Sequence, residues 1–410
     1  MLVGPGRIPG GGGGGVALLA YLDNAATTPV LPEARAAVLA AMGGAGPEGA
    51  FANPSSVHRW GLLAAEGLSA ARRAAAALLG AEPGEIVFTS GGTESNHLAV
   101  LGAAAALRRR GRHAVTTAIE HSSLLRACAA LEREGWEVTR LPVGADGRVA
   151  PRDVAMALRP DTALCALGHV NNEVGAVQPL EAIARLLRPA GVLLHVDAVQ
   201  AVGKVPTPYG AWGIGLAAVS AHKIGGPKGC GALYVRGGVR LVPPVGGEQE
   251  GGLRPGTENV PGIAGFGAAA AAAASASGER LRLLKLDLLS GLRAALPGLE
   301  VNGPDPADPA ASAPHILNLS FAAAAPGIPA EVLLHALEAA GVACSAGSAC
   351  SARRPEPSHV LAALGLPPAR LRASLRFSLG PQTTAAEVAC AIRAVPAAVA
   401  TLRAAGGGMR

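Results

Sequence analysis

Two polar residues, a lysine and an aspartate, follow short apolar segments at places where a side chain could act on a bound molecule. Lys223 lies just after the apolar run at 216–219, is followed by two glycines, and is one of only four lysines in the chain. A lysine there could form a Schiff base with a carbonyl group if its pKa is depressed. Asp197 ends another apolar run, where an acid points into the crevice at the carboxyl ends of parallel strands. Taken alone, Lys223 is better explained as a solvated loop lysine and Asp197 as a helix cap. The two residues together favour a cofactor site.

Pyridoxal phosphate is a cofactor of this kind, because it offers a carbonyl to a lysine and a ring nitrogen that an acid keeps protonated. The segment Gly91-Gly92-Thr93 offers a place for its phosphate, since it joins an apolar strand to the predicted start of a helix. Backbone N–H groups at a helix start, together with the Thr93 hydroxyl, would cradle an anion. An ordinary helix cap with acidic residues in the first turn is the alternative interpretation.

The cysteines indicate a reactive thiol rather than a disulfide framework. The chain has six cysteines in 410 residues and no Cys-x-x-Cys pair, which favours a reducing compartment and argues against a metal site. Cys350 lies among small residues, and Arg353 and Arg354 follow it and would favour a thiolate. Cys344 lies nearer an apolar segment and is interpreted as a structural thiol, although a disulfide or a shared persulfide with Cys350 stays open.

The elements that must position these residues alternate between strands and helices. Strands are predicted at 85–89, 114–117, 162–167, 192–196, 216–219 and 230–235. Helices are predicted at 94–109, 180–188, 268–275 and 280–296. This order predicts an α/β fold with a mostly parallel sheet covered on both faces. The mixed pattern after residue 278 predicts a second, smaller α+β domain.

Composition excludes several classes of protein. Half of the residues are hydrophobic and 16% are charged, so the chain is not intrinsically disordered. Aromatic residues make up only 3%, which leaves few platforms for nucleic-acid bases, and the formal charge of +6 is dispersed over the chain. No run of about 18 apolar residues predicts a membrane span. We expect residues 1–20, which are Gly-rich, to form a flexible extension, and we expect a cytoplasmic location.

Nine short segments, in this order, resemble the cysteine desulfurases. These are pyridoxal phosphate enzymes with the class V aminotransferase fold, also called the type I fold, and selenocysteine lyase is a close relative. The resemblance runs from about Tyr21 to Thr384. The segments are YLDNAATTP (21–29), NPSS (53–56), TSGGTESN (89–96), EH (120–121), HVNNEVG (169–175), HVDAVQ (195–200), SAHK (220–223), RPGTEN (254–259) and GSAC (347–350).

The resemblance implies a role for each residue around the cofactor. Lys223 would hold pyridoxal phosphate covalently, Asp197 would pair with the ring nitrogen, and His121 would stack on the ring and help to move protons. The implied contacts are Asn172 and Gln200 at the ring, and Gly92, Thr93, Ser220 and His222 at the phosphate. Thr257 would reach the phosphate of the other subunit, which implies a homodimer.

The resemblance also implies the substrate and the domain division. Arg376 would clamp the carboxylate of L-cysteine, with Asn172 also at the substrate, and Cys350 would take the sulfur as a persulfide while L-alanine is released. The sulfur would pass to an acceptor protein such as an iron–sulfur scaffold or a tRNA-thiolating enzyme. Residues 34–277 would form a large cofactor-binding domain, and residues 21–33 and 278–410 a small domain that carries the Cys350 loop.

Two other functions stay open, a selenocysteine lyase and a scaffold that has lost catalysis. The Cys350 loop favours desulfuration, because release of selenium depends less on such a thiol. Three departures from the family pattern are Ala52 before NPSS, Cys344 at a usually apolar position, and Pro381-Gln382 where an Arg usually follows FSLG. None of them affects the residues assigned to the cofactor. We expect no metal, no membrane and no direct contact with nucleic acid.

Overall fold

Alternating apolar residues build a sheet that is buried on both faces. The computed structural model describes residues 20–43, 50–274, 278–347 and 358–407. Most of the expected N-terminal extension, residues 1–19, lies outside them, as does Cys350. The strands described are β1 Ala20–Tyr21, β2 Ile86–Thr89, β3 His113–Thr117, β4 Glu137–Leu141, β5 Thr162–Gly168, β6 Leu193–Asp197, β7 Leu216–Ser220, β8 Gly231–Val235, β9 Glu300–Val301, β10 Ile316–Ser320, β11 Val342–Ala343 and β12 Ser374–Ser378.

Helices follow most of the strands. The α-helices described are α1 Pro32–Ala41, α2 Arg59–Leu79, α3 Gly92–Leu107, α4 Ser122–Arg133, α5 Pro151–Met156, α6 Leu180–Ala190, α7 Tyr209–Trp212, α8 Val260–Ala274, α9 Gly278–Ala295, α10 Ala330–Ala339, α11 His359–Ala363, α12 Pro368–Arg372 and α13 Ala385–Gly407. Short 3₁₀ turns lie at Pro83–Glu85, Ala221–Lys223 and Gln249–Gly252.

The chain divides into two compact units. One unit contains the described residues before Thr27, the segment Glu173–Gly175 and the described residues after Gly278. The other unit contains the remaining described residues. The larger unit holds a seven-stranded sheet of order β2-β8-β7-β6-β5-β3-β4. β8 runs antiparallel to both of its neighbours, and the remaining pairs are parallel. The predicted α/β fold with a mostly parallel sheet is therefore confirmed.

Successive residues of the central strands face opposite sides of this sheet. Ala114, Leu164 and Leu216 pack with α3 and α4 on one face, and their neighbours Val115, Cys165 and Ala217 pack with α2, α6 and α8 on the other. Both faces are thus apolar, as is usual for strands that helices cover on both sides.

The smaller unit is built around an antiparallel sheet of order β12-β10-β9 and a parallel pair of β1 and β11. Its core contains Leu319 and Leu375 from the sheet with Leu288, Leu333 and Val395 from α9, α10 and α13. Residues 385–405 of α13 are long and apolar enough to cross a membrane by length and composition, which the sequence had not led us to expect. Their buried side chains belong to this core, as those of a core helix do.

Candidate active site

Asp197 and Ser220 end neighbouring parallel strands at the same edge of the larger sheet. β6 ends at Asp197 and β7 ends at Ser220, and the two strands pair in parallel. The turn Ala221–Lys223 follows at once, so His222 and Lys223 lie at this edge too. The fold therefore brings together four of the residues that the sequence singled out.

The glycine loop before α3 packs against this edge. Gly91 has a φ of +150°, which residues with a side chain rarely adopt, and a Cβ on it would lie 3.7 Å from Ser220 Oγ. A Cβ on Gly92 would lie 2.5 Å from Val199 Cγ2, so any larger residue there would displace the Val199 side chain. The first N–H groups of α3 have no partner within the helix, and Thr93 is exposed in this first turn. The loop thus presents backbone donors beside Ser220.

Positive charge is concentrated around His222. Burial lowers the pKa of His222 to about 4, and the nearby Lys223, Lys228 and Lys204 lower it further. Burial also lowers the pKa of Lys204 to about 7, with Lys223 contributing. The Lys204 Nζ atom is buried without a hydrogen-bond partner among the described residues. Sequence reasoning missed Lys204, although the scarcity of lysines was a signal that could have found it.

Two donors hold the carboxylate of Asp197. It is 8% exposed and accepts hydrogen bonds from Asn96 Nδ2 at 2.7 Å and from the backbone N–H of Val199 at 3.1 Å. Gln200 is buried three residues further on. Asn96 lies in one of the quoted segments, but sequence reasoning gave it no role. The acid at the strand end is therefore preorganised by the start of α3 and by its own turn.

His121 caps α4, and a buried carboxyl group precedes it. His121 Nδ1 lies 2.7 Å from Ser123 Oγ and accepts the Ser123 backbone N–H at 3.2 Å. Glu120 accepts the Thr117 hydroxyl at 2.6 Å and the Gly168 N–H at 2.7 Å, which ties the ends of β3 and β5 together. Burial raises the pKa of Glu120 to about 7. Neither Glu120 nor Ser123 was assigned a role from the sequence.

Two further predicted residues lie in loops of the larger unit. Asn172 is half-buried after β5, and the preceding Asn171 donates from Nδ2 to the Ile119 carbonyl at 2.9 Å. Thr257 is exposed, three residues before α8 begins.

In the smaller unit, Arg376 is 1% exposed on β12. Its Nη2 atom lies 2.7 Å from Asp23 Oδ1. Ser345 pairs with Arg376 through two backbone hydrogen bonds, of 3.1 and 2.6 Å. Ser345, near the end of the described range 278–347, therefore lies directly beside Arg376. Sequence reasoning gave Asp23 no role of its own.

Of the two candidate thiols, Cys344 lies in the described part of the chain and Cys350 does not. Cys350 lies outside the described residues, as do Arg353 and Arg354. Cys344 lies just before Ser345, and burial raises its pKa to about 12, so it is a poor nucleophile at neutral pH. In the described part of the chain, no group of three or more His, Cys, Asp or Glu side chains could hold a metal ion.

Comparisons with known proteins agree with this geometry. The sequence profile described as "Aminotransferase class-V" matches residues 20–390. The chain is 43% identical to "Cysteine desulfurase IscS" of Methanosarcina thermophila, over 93% of this chain and 92% of that protein. It is 46% identical to the protein of the same name from Anaeromyxobacter sp. (strain Fw109-5), over 93% of each chain.

Solved structures agree as well. "SspA in complex with cysteine" superposes with a TM-score of 0.77 at 34% identity, covering 89% of this chain and 100% of that one. A "NIFS-LIKE PROTEIN" gives a TM-score of 0.83 at 32% identity, covering 93% and 99%. The resemblance to the cysteine desulfurases is thereby confirmed, and the chain belongs to the class-V aminotransferase family.

Proposed function

We propose that this chain is a cysteine desulfurase, which converts L-cysteine to L-alanine and takes the sulfur onto Cys350. The observation that carries the proposal is the sheet edge at which buried Asp197 and half-buried Lys223 lie beside a glycine-lined helix start. Relatives of 43% and 46% identity that are named cysteine desulfurases support the same substrate.

Members of this family depend on pyridoxal 5′-phosphate, and the described residues fit it. The buried Lys204 ammonium without a hydrogen-bond partner in the described chain calls for an anion, and the first turn of α3 offers donors to one. Asp197 is an acid held in place by two donors, as a protonated ring nitrogen requires. When bound, the cofactor supplies an electron sink for the bonds at the α-carbon of the substrate.

Each residue at this edge then has a defined task. Lys223 holds the cofactor by its amine, and Asp197 keeps the ring nitrogen protonated. His121 covers the ring and moves protons. The remaining contacts in this proposal are Asn172 and Gln200 at the ring, with Gly92, Thr93, Ser220 and His222 at the phosphate.

Residues of the smaller unit bind the substrate and accept its sulfur. Arg376, oriented by Asp23, binds the substrate carboxylate. The Cys350 thiolate attacks the substrate sulfur, an S–S bond forms, and the C–S bond breaks. The carbon keeps that electron pair and gains a proton, so L-cysteine and the thiol become L-alanine and a Cys350 persulfide. The sulfur is oxidised and the carbon is reduced, and no outside oxidant is needed.

We further propose a cytoplasmic homodimer that passes its sulfur to an acceptor such as an iron–sulfur scaffold or a tRNA-thiolating enzyme. Exposed Thr257 is assigned to the phosphate of the other subunit. Light scattering should give about twice the chain mass of 40.5 kDa. A monomer with full activity would contradict the shared site.

The function is tested by incubating the purified protein with L-cysteine and measuring alanine and persulfide. Lys223→Ala should lose the yellow absorbance of the bound cofactor, its borohydride-trapped adduct and both products. Lys228→Ala is the matched control, because Lys228 is exposed on the same loop. Survival of the adduct in Lys223→Ala would refute the assignment. A protein that releases selenium from L-selenocysteine but forms no alanine from L-cysteine would be a selenocysteine lyase instead.

A further inference from the structure

A chain of hydrogen bonds, buried except at its His121 end, joins His121 to Asp197. Asn96 Nδ2 lies 2.7 Å from Asp197 Oδ2 and 2.9 Å from Ser123 Oγ. Ser123 Oγ in turn lies 2.7 Å from His121 Nδ1. A branch runs from Asn96 Oδ1 to His195 Nε2 at 2.9 Å. Asn96 and His195 are fully buried and Ser123 is 4% exposed, so the three bonds that Asn96 makes are shielded from water.

The chemistry of the end groups fixes the direction of each bond near Asp197. A carboxylate oxygen can only accept, so Asn96 donates one amide hydrogen to Asp197 and the other to Ser123. Asn96 Oδ1 must then accept from His195 Nε2. Burial lowers the pKa of His195 to about 3, so its ring is neutral and carries its single hydrogen on Nε2, as this direction requires. The carboxylate of Asp197 thus sets the amide orientation of Asn96, and His195 is the neutral partner of the amide oxygen.

The same direction continues to His121. The Ser123 hydroxyl oxygen accepts from Asn96, its own hydrogen is left to donate, and His121 Nδ1 lies 2.7 Å away. The backbone N–H of Ser123 donates to the same atom at 3.2 Å, since His121 is the N-cap of α4. Two donors therefore face Nδ1, and a hydrogen on that nitrogen would oppose both.

We propose that Asn96 and Ser123 are positioning residues that fix His121 as the tautomer with its hydrogen on Nε2 and that lock its ring to the carboxylate of Asp197. This rests on the roles proposed above for His121 and Asp197 at the cofactor. His121 thereby presents a hydrogen rather than a lone pair from Nε2. A single connected unit sets the orientation of two groups assigned to the cofactor ring.

The proposal is tested on the full-length holoenzyme labelled with ¹⁵N-histidine, in which the His121 signals are assigned by their loss in His121→Gln. The wild type should show a protonated Nε2 and an accepting Nδ1 at His121. Ser123→Ala should give a mixture of tautomers and a turnover lower by about 10- to 100-fold, the size of loss seen when the partner that orients a metal-binding histidine is removed. Cofactor content should be unchanged, and the melting temperature should fall only slightly, because one hydrogen of the buried Asn96 amide loses its acceptor.

Two matched variants separate positioning from packing. Ser123→Thr keeps the hydroxyl and should keep the wild-type tautomer, and Ser122→Ala, one residue away, should change neither tautomer nor turnover. A hydrogen on His121 Nδ1 in the wild type overturns the proposal even if Ser123→Ala fails to fold, and so does an unchanged tautomer in Ser123→Ala. The NMR spectrum reports the His121 tautomer whether or not the enzyme turns over. It therefore tests the positioning role of Asn96 and Ser123 even if no alanine forms from L-cysteine. Normal alanine production together with a hydrogen on His121 Nδ1 would refute the positioning role and leave the proposed function standing.

Discussion

Arg376 and Asp23 are 353 positions apart in the chain, yet Nη2 of the arginine lies 2.7 Å from Oδ1 of the aspartate. The arginine is 1% exposed, so its charge is compensated inside the smaller unit. The pair places one edge of the guanidinium against Asp23 and fixes the plane of the fork with which Arg376 would meet a carboxylate.

Asp23→Asn should raise the KM for L-cysteine by about tenfold and should change kcat less. A tenfold change is the size expected when one hydrogen bond loses its charge assistance. The reason is that an amide oxygen accepts a weaker hydrogen bond from the guanidinium than a carboxylate does, so the orientation of Arg376 is held less firmly. Steady-state kinetics measure both constants. Asp287→Asn, an exposed aspartate of the same unit, is the control and should leave KM unchanged. An unaltered KM in Asp23→Asn would contradict a role of Asp23 in holding Arg376 for the substrate.

Asp197→Asn should retain the cofactor but lose turnover by about 10⁴-fold, the scale seen when the acid partner of a catalytic ring is neutralised. An amide cannot keep the ring nitrogen protonated, and a neutral ring is a poor electron sink. Cofactor content by absorbance and alanine formation are measured side by side. Asp161→Asn, which removes an exposed partner of Arg159, serves as the control. Near-normal turnover in Asp197→Asn would exclude the proposed role.

Lys204→Met should weaken retention of pyridoxal phosphate by about tenfold or more, because a buried ammonium close to a bound anion contributes more than an exposed one. The direction of the effect follows from the pKa of Lys204, which burial lowers to about 7. Above this pH the Lys204 side chain of the free protein is mostly neutral, and a bound phosphate raises its pKa and restores the positive charge. Equilibrium dialysis against cofactor measures the affinity. Lys228→Met is the control, since Lys228 is exposed. Equal affinities of the two variants would show that Lys204 does not face the phosphate.

The sequence predicted the central strands and the residues at their ends, because those strands are continuous apolar runs followed by polar groups. It missed β4 Glu137–Leu141, an edge strand in which only Leu141 is buried, so no apolar run marks it. It also could not predict the partners of Asp197 and Arg376. Those polar contacts join residues 101 and 353 positions apart, and no local pattern specifies them.

Locating the persulfide shows whether Cys350 receives the sulfur. Cys350→Ser and Cys344→Ser are each incubated with L-cysteine, and mass spectrometry of the quenched peptides is combined with alanine measurement. A serine hydroxyl is a poor nucleophile at neutral pH, so Cys350→Ser should form neither alanine nor persulfide while keeping the cofactor absorbance. Cys344→Ser should match the wild type, because burial raises the pKa of the Cys344 thiol to about 12 and leaves it a poor nucleophile at neutral pH. Full desulfuration by Cys350→Ser, or a persulfide found only on Cys344, would show that Cys350 is not the sulfur acceptor.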